Sequence, residues 1–82
     1  DVTEQVVELE LRLDNARRTR DRLVAHLEKS EKIEDTLKIE AELGRVTLEI
    51  ERFDGQLRLL RSRIALSTIQ VTFNSRGPQR NG

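Results

Sequence analysis

Two stretches of this sequence repeat apolar residues in alternating steps of four and three. In the first, Val2, Val6, Leu9, Leu13, Ala16, Leu23 and Leu27 hold the pattern, with Arg20 as the one polar interruption. In the second, Ile39, Leu43, Val46, Ile50, Phe53, Leu57, Leu60 and Ile64 hold it without a break. Such steps keep every member on one stripe of an α-helix, the seam of a coiled coil. The two stretches cover most of the 82 residues, so the chain reads as all-α. Composition agrees: 35% hydrophobic and 37% charged residues suit a long helix with a narrow seam better than a globule with a central core. Disorder is disfavoured because 15 basic residues offset 15 acidic ones and the apolar positions are periodic.

The ends and the turn follow. Asp1 can accept from the first free amides, with Glu4 three positions on, a capping-box arrangement. Between the seams, Lys29 to Asp35 is polar except for Ile33, and its acidic end suits the first turn of a second helix. No proline or glycine marks this turn, so the spacing also admits one bent helix. Charge favours folding back. Antiparallel pairing sets Val2 near Ile64, Leu13 near Phe53 and Leu27 near Ile39, and turns Glu10 towards Arg61, Arg17 towards Asp54 and Arg12 towards Glu49. A parallel homodimer of the first helix would instead face Arg12 with Arg17, and one of the second Glu49 with Asp54. Each surface pair contributes only about 0.2–1 kcal/mol, so the pairs select an orientation rather than supply stability.

After Ile64 the period changes. Ser67 to Phe73 alternates with period two and is rich in β-branched residues, which predicts a strand without a partner in this chain. The expected architecture is an antiparallel two-helix coiled-coil hairpin with a short C-terminal β-strand, pairing with a second copy into a four-helix dimer. Its parts are a first helix over 1–29, a turn over 30–34, a second helix over 35–66, a strand over 67–73 and a flexible tail over 74–82.

No residue set points to chemistry. His26, the only histidine, flanks the seam near the tip, where Glu42 could lie across from it, and reads as a solvated or ion-paired side chain. The basic run from Arg17 to Arg22 contains Asp21 and follows Asp14, so it reads as a solvated face with helical ion pairs. It lacks the aromatic or motif support of a nucleic-acid binder. Glu28, Glu31, Glu34 and Asp35 crowd the tip, but Lys29 and Lys32 compete for them and EF-hand spacing is absent. No catalytic residue, cofactor site or metal site is assigned, and the expectation is a protein that is not an enzyme. Arg20 can lay its stem along the seam and fix register, or sit where the seam closes loosely. Val7, Leu11, Leu59 and Leu66 lie off the seam at the open end, and they are the candidate interaction residues.

Zero net charge argues against a general affinity for nucleic acid or anionic lipid. The absence of cysteine excludes disulfides and thiolate sites and leaves the compartment open. These residues contain no bilayer-spanning run, and they open on charged Asp1 without a secretion signal.

The chain resembles the bacterial domain-of-unknown-function family 4349. The residues that carry the resemblance are the opening Asp1-Val2-Thr3-Glu4, then Leu9, Arg12-Leu13, Asn15, Arg22-Leu23 and Leu27-Glu28-Lys29. They continue through Glu34-Asp35, Glu40, Leu43, Val46, Glu49-Ile50-Glu51 and Leu57 to Ser67-Thr68-Ile69 and Val71-Thr72. The opening tetrad and the closing segment are its most specific parts. The family pattern has tyrosines near Leu59 and Leu66, where this chain departs. The resemblance implies a domain on the extracytoplasmic side of a bacterial membrane, anchored by a lipid-attachment signal or membrane helix outside these residues, with strands beside the hairpin. It supplies no functional residue. Three functions follow as expectations: a structural or protein-interaction module of the envelope, partnered by a second copy or another protein; a ligand-sensing domain; and a nucleic-acid-binding coiled coil.

Overall fold

The computed structural model describes the backbone of residues 1–80 and the side chains of residues 1–66. Two helices, α1 (Val2–Lys29) and α2 (Ile33–Arg80), pack against each other as an antiparallel hairpin. The expected seam is where they meet. Leu13, Ala16, Val46 and Leu57 are buried, and Leu57 and Val46 retain only 1% exposure. Val6, Leu9, Leu23 and Leu27 on α1, and Ile39, Leu43, Ile50, Phe53 and Leu60 on α2, are half-buried. Val2 and Ile64 are exposed where the hairpin opens. Burial is greatest at interior positions of the seam and is lost at its open end, although Ile50 and Phe53 in the interior stay half-buried.

Asp1 caps the start of α1 as expected, whereas the reciprocal Glu4 bond of a capping box is absent among the described residues. The Asp1 carboxylate accepts from the Thr3 amide, and the Gln5 amide closes the first helical bond onto the Asp1 carbonyl. Glu4 adds negative charge to the first turn, beside the positive end of the helix dipole.

At the tip the chain reverses without glycine. Ser30 leaves α1 in an extended conformation, φ −70° and ψ 132°, while its amide donates to the Leu27 carbonyl. Its hydroxyl donates to the Lys32 carbonyl and shares a 2.8 Å hydrogen bond with the Thr36 hydroxyl. The Thr36 amide donates to the Lys32 carbonyl, the first bond of α2. Ser30 therefore ties the end of one helix to the start of the next. The turn is tighter than expected, with Ile33 and Glu34 already in α2, and a single bent helix is excluded. Ser30→Ala is expected to lower the thermal stability of the hairpin by about 1 kcal/mol, read from a melt followed by circular dichroism. Thr36→Val should cost less, because it removes only the bond that the two hydroxyls share, and the double variant should cost little more than Ser30→Ala alone.

Two expectations differ beyond the seam. No strand is present among the described residues: the backbone of α2 runs helically through 67–73 and on to Arg80, over most of the expected tail. The physical reason is the missing partner. A lone strand leaves its amides and carbonyls unpaired, whereas a helix closes each onto its own backbone. Side chains from 67 onward, and residues 81 and 82 entirely, lie outside the described residues.

Candidate functional site

The surface of a two-helix hairpin consists of two edges, where the helices meet, and two outer faces. Helical geometry fixes which side chain falls on which.

One edge carries the ion pair foreseen between Glu10 and Arg61, whose side chains join α1 to α2 across 51 residues of sequence. The other two cross-helix pairs do not form. Arg12 turns to Glu8 on its own helix at 2.6 Å, Glu49 is held by Arg45 at 3.3 Å, and Asp54 is held by Arg58 at 2.7 Å. A partner four residues away on the same helix needs less ordering of two long side chains than one across the seam. Most of these groups are exposed, with Glu49 and Asp54 partly covered, so solvent screening keeps each pair weak.

The opposite edge is an open groove between Gln5, Glu8 and Arg12 of α1 and Arg52, Gln56 and Leu59 of α2, floored by Leu9, Phe53 and Leu60. A smaller groove at the tip involves His26, Lys29, Asp35 and Lys38. His26 lies beside these residues, and Glu42 is directed elsewhere, to Arg45 at 2.8 Å. That hydrogen bond, and then the Arg45 charge, hold the Glu42 carboxyl below its usual range, and the same contacts raise the guanidinium. The sign is that of a depressed acid. The contribution is present above the ordinary carboxylate pKa and is lost as pH falls through the lowered one.

The basic run is largely satisfied by its own helix. Arg18 meets Asp14 at 2.9 Å, Arg20 meets Asp21 at 3.3 Å, and Arg22 donates to the Thr19 hydroxyl. Arg20 occupies its seam position with its head turned out to Asp21 and its side chain 41% exposed. Val46, level with it in the antiparallel register, is 1% exposed, so the seam is closed at this point. The stem covers the seam while the charge reaches water.

The four candidate interaction residues are all exposed: Val7 50%, Leu11 62%, Leu59 52% and Leu66 59%. They do not make one patch. Val7 and Leu11 are four apart on the back of α1, the stripe that continues through Asp14 and Arg18. Leu59 and Leu66 lie on the outward side of α2, and Leu59 also borders the groove beside Arg12. Sequence reasoning missed the company that Leu59 keeps. At about 100° per residue, Leu37, Leu48, Leu59 and Leu66 fall within about 40° of one another, opposite the α2 seam. Leu37 is 60% exposed and Leu48 is 62% exposed. Gly44 and Gly55 share this face, and a Cβ built on either meets nothing within 4 Å. The signal available was a spacing of eleven, shared by Leu37, Leu48 and Leu59 and by Gly44 and Gly55.

Among the described residues no three metal-binding side chains converge, and no helix is long and apolar enough to cross a membrane. Comparison with known proteins gives one finding. The family described as Domain of unknown function (DUF4349) matches residues 1–82. No curated protein and no solved structure matches the chain.

Proposed function

We propose that this chain, which belongs to the domain-of-unknown-function family 4349, is a non-catalytic structural or protein-interaction module, a helical hairpin that spaces or oligomerises within a bacterial envelope protein. One observation carries this reading. The seam satisfies itself within the hairpin, yet Leu37, Leu48, Leu59 and Leu66 remain more than half exposed along one outward line of α2. Leucines scattered singly need no explanation; four aligned over some 30 residues form a face that water penalises and a partner would cover. The extracytoplasmic location rests on the family resemblance, with attachment to the membrane through segments outside this chain.

A ligand-sensing role is the second reading, favoured by the groove where Phe53 and Leu59 lie beside Arg12 and Arg52. Nucleic-acid binding gains less support, because Arg18 and Arg20 are neutralised by Asp14 and Asp21.

The test is a photo-reactive amino acid in place of Leu48 in the full-length protein within the bacterial envelope. Adducts with a protein, a second copy or another, are the expected result. Absence of protein adducts, with a ligand-dependent rise in melting temperature, would overturn the interaction reading in favour of sensing.

A further inference from the structure

We infer that the outward leucine face of α2 docks a second copy of this chain, with the two α2 helices parallel and in register. The inference deepens the interaction-module reading and rests on it.

Glycine inside an exposed helix costs about 1 kcal/mol relative to alanine. Gly44 and Gly55 both carry that cost in the middle of α2, and no side chain of their own hairpin occupies the space beside them. Their use is therefore outside the hairpin. Helix axes approach more closely where contacting side chains are small, and Ala41 and Ser62 extend the small positions along the same face. Leu37, Leu48, Leu59 and Leu66 alternate with them as the large ones.

Charge selects the occupant and its orientation. Glu40, Glu51 and Arg58 flank the face on one side; Lys38, Arg45, Arg52 and Arg63 flank it on the other. In parallel pairing, one flank meets the opposite flank of the second copy. Lys38 then lies near the partner's Glu40, and Arg52 near the partner's Glu51; Arg58 against the partner's Arg63 is the one repulsive pair. In antiparallel pairing each flank meets itself: Arg52 meets Arg52, Glu51 meets Glu51, and Lys38 meets Arg63. Arg45 decides little, because Glu42 and Glu49 already hold it. The remaining charges favour a parallel copy.

The size of the contact sets its strength. From Leu37 to Leu66 the face is about 45 Å long and about 10 Å wide, on the order of 900 Å² over both copies. That is at the low end of specific interfaces, so the dimer should form and dissociate with concentration. It also adds to a hairpin whose described core is only Leu13, Ala16, Val46 and Leu57, and association is a common way for small chains to gain stability.

Sedimentation equilibrium over a wide concentration range, joined to single-cysteine cross-linking, tests this. The chain has no cysteine of its own. Ser62→Cys should give disulfide-linked dimers by itself, since parallel register places each Ser62 beside its copy. Linking only in a mixture of Ala41→Cys and Ser62→Cys chains would overturn the parallel arrangement. Gly44→Leu/Gly55→Leu should raise the melting temperature of the dilute monomer while weakening dimerisation at least tenfold. A dimer that tolerates this change, or tolerates Leu48→Glu/Leu59→Glu, would contradict the inference. A chain monomeric at every concentration would overturn it too, and would leave the interaction-module reading standing if Leu48 still cross-links to another protein.

Discussion

Leu57→Ala is expected to unfold most of the hairpin. Leu57 is 1% exposed and sits where the α2 seam is deepest. Removing a buried leucine side chain costs about 2–5 kcal/mol, from lost transfer energy and from the cavity left behind. In a large domain that loss would be tolerated. Here the described buried side chains number four, and one of them is alanine, so the loss rivals the whole stability of a chain this small. The α2 helix would not survive by itself, since helix propensity alone is marginal once an apolar face has no partner. Circular dichroism should show a large fall in helical signal at room temperature. Leu59→Ala, two positions away and 52% exposed, should leave the signal of the dilute chain nearly unchanged. Equal losses in the two variants would contradict the assignment of seam and outer face.

A buried charge should act more strongly still. Val46→Asp places a carboxylate at a position 1% exposed, level with Arg20. An unpaired carboxylate there faces a desolvation cost of several kcal/mol, and the fold avoids it only by protonating the group or by opening. The variant is expected to be unfolded at neutral pH and to regain helix as pH falls through a raised carboxyl pKa. The sign follows from linkage: burial favours the neutral acid, so the destabilisation is full above the raised value, fades as pH falls from there to the ordinary carboxylate value, and is gone below it. Leu48→Asp, on the outer face, should fold at either pH. A Val46→Asp chain that folded normally at neutral pH would mean that Arg20 swings inward to meet the new carboxylate. Arg20→Ala in that background would then unfold it.

The seam was legible in the sequence because one physical rule governs it. Steps of four and three put Leu13, Val46 and Leu57 on the stripes that helices bury, and no other element competes for them. The antiparallel orientation was legible from charge, but only as a sum. Glu10 reaches Arg61 as foreseen, whereas Arg12 and Asp54 choose neighbours on their own helices. Spacing identifies both possible partners and does not rank them. The tip was placed within a few residues. Its mechanism was not legible, because one extended serine and its bond to Thr36 do the work usually signalled by glycine or proline. The period-two run from Ser67 reflects side-chain preference alone; what a backbone does there depends on whether a sheet offers it a partner.

The outer face of α2 was overlooked for a reason of the same kind. Leu37, Leu48 and Leu59 recur at eleven, not seven, and glycines dilute the pattern, so by sequence Leu59 groups with the open end and Leu37 and Leu48 are assigned no role. Only the geometry of one long helix, with its other face already occupied by α1, aligns them. The open-end cluster of Val7, Leu11, Leu59 and Leu66 was drawn from closeness in the hairpin's length, without regard to direction around each helix.

The hairpin itself is tested most directly by one distance. Spin labels on Thr3→Cys and Arg63→Cys report whether the two ends of the seam lie together, with unlabelled chain in excess so that only pairs within one molecule count. Antiparallel helices packed about 10 Å apart, with flexible labels, should give a separation of roughly 15–25 Å. A continuous helix through the tip would hold the same labels about 90 Å apart, and a distribution centred far beyond the hairpin value would contradict the fold on which the rest depends.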